Sequence, residues 1–156
     1  MKIYAVFDTN ILVSAMISKR SDTAVVLALD TLLNDEIIPL YDDEIIKEYN
    51  DVLHREKFHL PEALVNSVID HIQKAGIPSN RVHSDEVFPD DDDVVFYEVA
   101  LSQEDSFLVT GNTKHFPKTP IVVTPLDFLK KIGKIGGWDL IMTSSVRTLR
   151  RSSSLS

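Results

Sequence analysis

The stretch Lys2–Ala15 reads KIYAVFDTNILVSA, and how it divides decides the fold. Ile3–Phe7 is mostly apolar and β-prone, and the run stops on the carboxylate of Asp8. After Thr9 and Asn10 a second apolar run covers Ile11–Ala15. A buried ion is costly unless it is paired, hydrogen-bonded or holding a metal. Asp8 therefore marks a boundary where a strand ends and a helix begins, through a corner fixed by Thr9 and Asn10. Taken alone, such an Asp is equally a turn former or a helix cap.

The same alternation continues outward. KIYAVF (2–7) reads as a strand and residues 10–18 as a helix. Asp22 is placed to cap TAVVLALDTLL (23–33), whose apolar residues recur at helical spacing. EIIPL (36–40) is a second strand, and DDEIIKEYNDVLHR (42–55) a helix with acidic residues in its first turn, where the helix dipole favours them. PEALVNSVIDHIQKAG (61–76) has Pro61 near its start and Gly76 just past its end. PDDDDVVFYEVALS (89–102) opens another helix, SFLVT (106–110) and PIVVT (120–124) are strands, and PLDFLKKIG (125–133) is the last helix. Strands separated by helices predict an α/β sandwich of three layers around a mostly parallel central sheet.

A length of 156 residues predicts one domain with a real core. Residues 1–132 form that domain. Residues 133–156 read as an appended tail with six serines and Arg147, Arg150 and Arg151. The tail is either an RNA-contacting arm or a disordered end. The absence of cysteine excludes disulfides and thiolate metal sites. No stretch reaches the length of a membrane span and none has the layout of a signal peptide, so the expected location is cytoplasmic, with no membrane partner. The net charge of −8 divides into −11 over residues 1–132 and +3 over 133–156. An acidic body disfavours broad, charge-driven nucleic-acid binding. It leaves room for a small site where cations bridge carboxylates to phosphate.

In open parallel sheets ligands bind beyond the carboxyl ends of the strands. Asp8 stands at one such end, and Thr110, Gly111 and Asn112 at another. Asp90–Asp93 precede an apolar helix, as a solvated loop with an N-cap or as contributors to the site. Glu48 borders the apolar stripe of Ile45, Tyr49 and Val52, so it points along the edge of the core. Converging carboxylates repel one another unless a hard cation such as Mg²⁺ or Mn²⁺ takes their oxygens, and such sites most often serve phosphoryl-ester hydrolysis. Thr110 and Thr113 are placed to hydrogen-bond a carboxylate or a phosphate, or simply to cap their turn. Lys114 is exposed by default or meets a nucleic-acid backbone. His115 lies near the cleft, while His54, His59 and His71 lack metal-pair spacing and read as surface or packing residues. A phospho-aspartyl enzyme is disfavoured, because residue 10 is Asn where D-x-D needs a second acid.

Taken in order, FDTN-x-LVSA, EIIKEYNDVL, an Asp-rich start to an apolar helix, LVTGN-x-KHFP and VVTPLDFL resemble the PIN-domain family. Within it they resemble the toxin components of bacterial toxin–antitoxin pairs. The likeness runs from Lys2 to about Ile132 and makes residues 1–132 a PIN-like domain. It implies a parallel-sheet α/β sandwich and an Mg²⁺- or Mn²⁺-dependent endoribonuclease. It also implies an RNA substrate, an antitoxin protein as partner, and self-association as a homodimer. Carried over by position, the acidic site is Asp8, Glu48 and Asp93, with Asp90 as an additional metal ligand in a turn where Pro89 precedes the acid. Asn112 stands where many members have a fourth Asp. It offers a carbonyl oxygen but no charge. Thr9, Asn10, Thr110, Lys114 and His115 are the substrate-contact candidates. The competing reading is a catalytically weak module of this fold that binds an antitoxin or RNA.

Overall fold

The two apolar runs of the opening stretch form strand β1 (Tyr4–Phe7) and helix α1 (Thr9–Ile17), in a computed structural model that describes residues 2–134. The basic, serine-rich tail lies from residue 135 onward outside the described residues. Next come α2 (Ala24–Leu33), β2 (Ile38–Tyr41), α3 (Asp43–Leu53), α4 (Glu62–Ala75) and β3 (Ile77–Pro78). They are followed by α5 (Val94–Ala100), β4 (Ser106–Val109), β5 (Val122–Val123) and α6 (Pro125–Lys131).

Local chemistry explains most of these limits. The Asp42 carboxylate caps α3 by accepting the Ile45 N–H at 2.9 Å, satisfying one of the donors a helix start leaves orphaned. Thr124 does the same for α6 at the Asp127 N–H, 3.1 Å away, with Pro125 in the first turn. Gly76 is required by close approach: a Cβ there would sit 2.4 Å from the Ile72 carbonyl oxygen and 2.5 Å from that of Pro39. It lets the end of α4 lie against β2. One cap differs from expectation. Thr23, not Asp22, holds the N-cap position of α2, and the Asp22 carboxylate takes the Arg20 guanidinium at 3.0 Å.

The five strands are all parallel, in the order β3-β2-β1-β4-β5. β1 is central, with Tyr4 opposite Ile38 of β2 and Ser106 of β4. Successive strand residues face opposite sides of a sheet, and Ala5, Val6 and Phe7 are at most 1% exposed. Both faces of β1 are therefore covered, as a parallel sheet requires, and the fold is the expected three-layer α/β sandwich. On the Phe7 side the ring of Phe128 from α6 packs edge-on against Phe7 and Phe107 at 6.0 and 5.8 Å. Burying such a side chain contributes about 1.5–3 kcal/mol. Among the described residues no helix is long and apolar enough to cross a membrane.

Candidate active site

The strand order reverses at β1. From β1 the chain moves outward to β2 and β3, and from β4 it moves the other way to β5. Backbone leaving β1 and β4 in opposite directions opens a crevice at their carboxyl ends, where ligands bind in such sheets. Asp8 and Thr110 stand on its two sides, each the first residue past its strand.

Asp8 is 6% exposed and fully held. Its N–H donates to the Val109 carbonyl at 2.9 Å, and its Oδ2 accepts the Thr110 hydroxyl at 2.7 Å. The same Thr110 oxygen accepts the Asn112 N–H at 3.0 Å. Two loops that are far apart in sequence are thereby fastened at one hydroxyl. Burial raises the Asp8 pKa above its ordinary value. The Thr110 hydroxyl, the nearby N–H groups of Asn10 and Thr9, and His115 oppose the rise without cancelling it.

Glu48 comes from the middle of α3, half-buried. Its Oε2 accepts the hydroxyl of Thr9, which is itself buried. On the next residue, the Tyr49 hydroxyl donates to the Phe7 carbonyl at 2.5 Å, which locks α3 to the end of β1. Burial raises the Glu48 pKa, the Thr9 bond lowers it, and the charges of Asp8 and Asp92 raise it further. Asp93 heads α5 at its N-cap position without making a cap hydrogen bond. Its pKa is pushed up to about 6 by burial and by the charges of Asp8, Asp90 and Glu48, against the influence of His115. The His115 Nδ1 lies 3.5 Å from Asp93 Oδ2.

Asp8, Glu48 and Asp93 thus come from the end of β1, the middle of α3 and the head of α5 into one electrostatic neighbourhood. Asp90 is more peripheral. It is exposed, and its carboxylate accepts the Asp92 N–H at 2.9 Å to shape the turn ahead of α5. Asn112, Asn10, Lys114 and His115 are exposed at the rim. Thr9 and Thr110 are buried, and both hydroxyls are spent on carboxylates inside the protein. Both hydroxyls hold acids of the site in place. Asp92, from the Asp-rich run, stands beside Glu48, and Arg55, of opposing sign, is a member of the neighbourhood that sequence reading did not single out. Arg55 lies just beyond the end of α3 in extended backbone, where helical periodicity gives no signal for it.

Oxygen-only donors in this arrangement suit a hard divalent cation. A cation would offset the burial that lifts all three pKa values and the repulsion that adds to it at Glu48 and Asp93. Among the described residues no three acidic or histidine side chains already stand at ligating spacing, so binding calls for side-chain adjustment around Asp8, the fixed member.

A sequence-family model for the PIN domain matches residues 4–114, well over half of the 156-residue chain. PIN domains are generally metal-dependent nucleases. Comparison with curated proteins and with solved structures gives no match. With this fold, this strand order and that match, the chain belongs to the PIN-domain family.

Proposed function

We propose that the protein is a divalent-metal-dependent endoribonuclease and the toxin half of a toxin–antitoxin pair, acting in the cytoplasm. One observation carries the reading. Three carboxylates from separate elements, Asp8, Glu48 and Asp93, converge at the crevice where the strand order reverses; burial raises the pKa of all three, and the charge of Asp8 raises Glu48 and Asp93 further. Such groups are drawn together at a cost that a cation repays.

Asp8, Glu48 and Asp93 would hold Mg²⁺ or Mn²⁺, with Asp90 and the Asn112 side-chain carbonyl near enough in the fold to contribute. Bound there, the cation supplies an activated water and neutralises charge on the scissile phosphate. The protein's own share is orientation. Thr110 and Thr9 aim Asp8 and Glu48, and the exposed Asn10, Lys114 and His115 are placed at the rim to take the RNA backbone. Asn112 supports the second reading, a weakly catalytic module for an antitoxin or RNA, because a fourth charge is missing.

Cleavage of a mixed RNA pool with Mn²⁺ or Mg²⁺, beside Asp8→Asn, tests the first reading. Metal-dependent cutting that the variant lacks supports it. No cutting by folded protein transfers the assignment to the binding module.

A further inference from the structure

Glu98 is the buried charge that the acid centre does not explain. It lies on α5 at 5% exposure, where an ion is costly unless paired. Its partner, Arg81, comes from the segment between β3 and α5. Arg81 Nε donates to Glu98 Oε1 at 2.9 Å, and Nη2 lies 2.8 Å from the same oxygen. Glu98 Oε2 accepts the Ser84 N–H at 2.8 Å, and the Glu98 carbonyl accepts the Val82 N–H at 3.1 Å. Burial alone would raise the Glu98 pKa, but the Ser84 N–H and Arg81 outweigh it and hold the carboxyl below its ordinary value.

The guanidinium has a second partner. Its Nη1 donates to Glu44 Oε1 at 2.9 Å. Glu44 stands one turn before Glu48 on α3, and Glu98 stands five residues after Asp93 on α5. One planar, always-charged side chain therefore ties the helix that carries Glu48 to the helix headed by Asp93. Those two helices also carry like charges that oppose each other across the crevice. Their apolar tie is the contact of Tyr49 with Phe96, ring centroids 6.4 Å apart.

We propose that Arg81 is a positioning residue: it braces α3 against α5 and sets the separation of Glu48 and Asp93 against their repulsion. The functional consequence rests on reading the acid centre as a cation site. Glu44 is the discriminating half of the brace. Its side chain is 65% exposed, so an ion pair there contributes little to stability, and losing it leaves no charge buried alone.

The test is calorimetric titration of Mn²⁺ into the full chain carrying Glu44→Gln or Arg81→Lys, since a lysine serves one carboxylate where arginine serves two. Arg20→Gln, which breaks an exposed pair with Asp22 far from the site in sequence, is the control. Expected are a loss of about two- to fivefold in Mn²⁺ affinity for both brace variants, the most an exposed ion pair can transmit, and no change for the control. Wild-type affinity in a folded Glu44→Gln overturns the proposal. A second readout needs no metal. The chain has no cysteine, so nitroxides on Lys47→Cys and Leu101→Cys, both exposed positions, report the spacing of α3 and α5 by pulsed EPR. Glu44→Gln is expected to lengthen or broaden that distribution, and an unchanged one overturns the brace. If wild-type protein takes up no Mn²⁺, the cation reading fails while the label distances still decide the brace.

Discussion

Replacing Asp93 by Asn is expected to stabilise the cation-free protein at neutral pH while removing the cleavage activity proposed for it. The carboxyl titrates near 6 in the fold against an ordinary 3.8, so the folded state favours its protonated form. Stability from this group is complete below about pH 4 and is lost as pH rises through about 6, because the fold binds a proton that the unfolded chain has released. At about 1.4 kcal/mol per tenfold in the equilibrium, the displacement corresponds to at most about 3 kcal/mol. Solvent reaches the carboxyl, and screening reduces that to about 1–2 kcal/mol. Asparagine keeps the shape and sheds the charge. Asp93 makes no helix-cap bond that would be forfeited, only the 3.5 Å contact with His115. For a chain of this size the gain converts to a rise of about 3–6 °C in thermal midpoint. The assay is thermal unfolding in EDTA between pH 4.5 and 8. The difference from wild type should be smallest at the acid end and fully developed by pH 7.5. Saturating Mn²⁺ should reverse the order, since a cation at a hundred times its Kd stabilises by about 2.7 kcal/mol only the protein that binds it. A midpoint for Asp93→Asn at or below wild type in EDTA at pH 7.5, or a gain that ignores pH, refutes the reasoning.

Three further outcomes follow from single contacts. Thr110→Val keeps the buried volume but strips Asp8 of its hydroxyl donor, and urea unfolding should show a loss of about 1.5–3 kcal/mol, the range for a hydrogen bond to a charged group. Tyr49→Phe removes the bond to the Phe7 carbonyl and leaves that oxygen buried. A loss of about 1–3 kcal/mol in the same assay is expected, and a neutral result would show that the α3–β1 lock is not energetic. Asn112→Asp adds a fourth charge at the rim. Calorimetry should find tighter Mn²⁺ binding together with lower stability in EDTA, and weaker binding would place residue 112 outside the cation's reach.

Much of this architecture is legible in the sequence because the signals are local. Asp8 interrupts two apolar runs, Asp42 and Thr124 announce helix starts, and strands alternate with amphipathic stretches. The family resemblance then orders the acids, and the fold brings three of them into one neighbourhood. What sequence does not disclose is long-range pairing of polar groups. Thr9 reaches Glu48 across 39 residues and Arg81 reaches Glu98 across 17, with no periodicity to announce either. β3 was missed for a related reason: Ile77–Pro78 is a two-residue exposed edge, too short to alternate. The N-cap position of α2 falls on Thr23, one residue past the expected Asp22, whose carboxylate takes a neighbouring arginine that propensity alone does not announce.

The bond from Thr110 to Asp8 spans 102 positions of chain, and the pairing of β1 with β4 spans just as many. During synthesis the N-terminal strand therefore waits, one edge open, until its distant neighbour has emerged, several seconds later at about 5–20 residues per second. A nascent or prematurely terminated product ending before Thr110 lacks both that neighbouring strand and the hydroxyl that secures the first acid. Completion of the crevice is thus coupled to synthesis past Thr110, and a fragment that stops short of it lacks one side of the site.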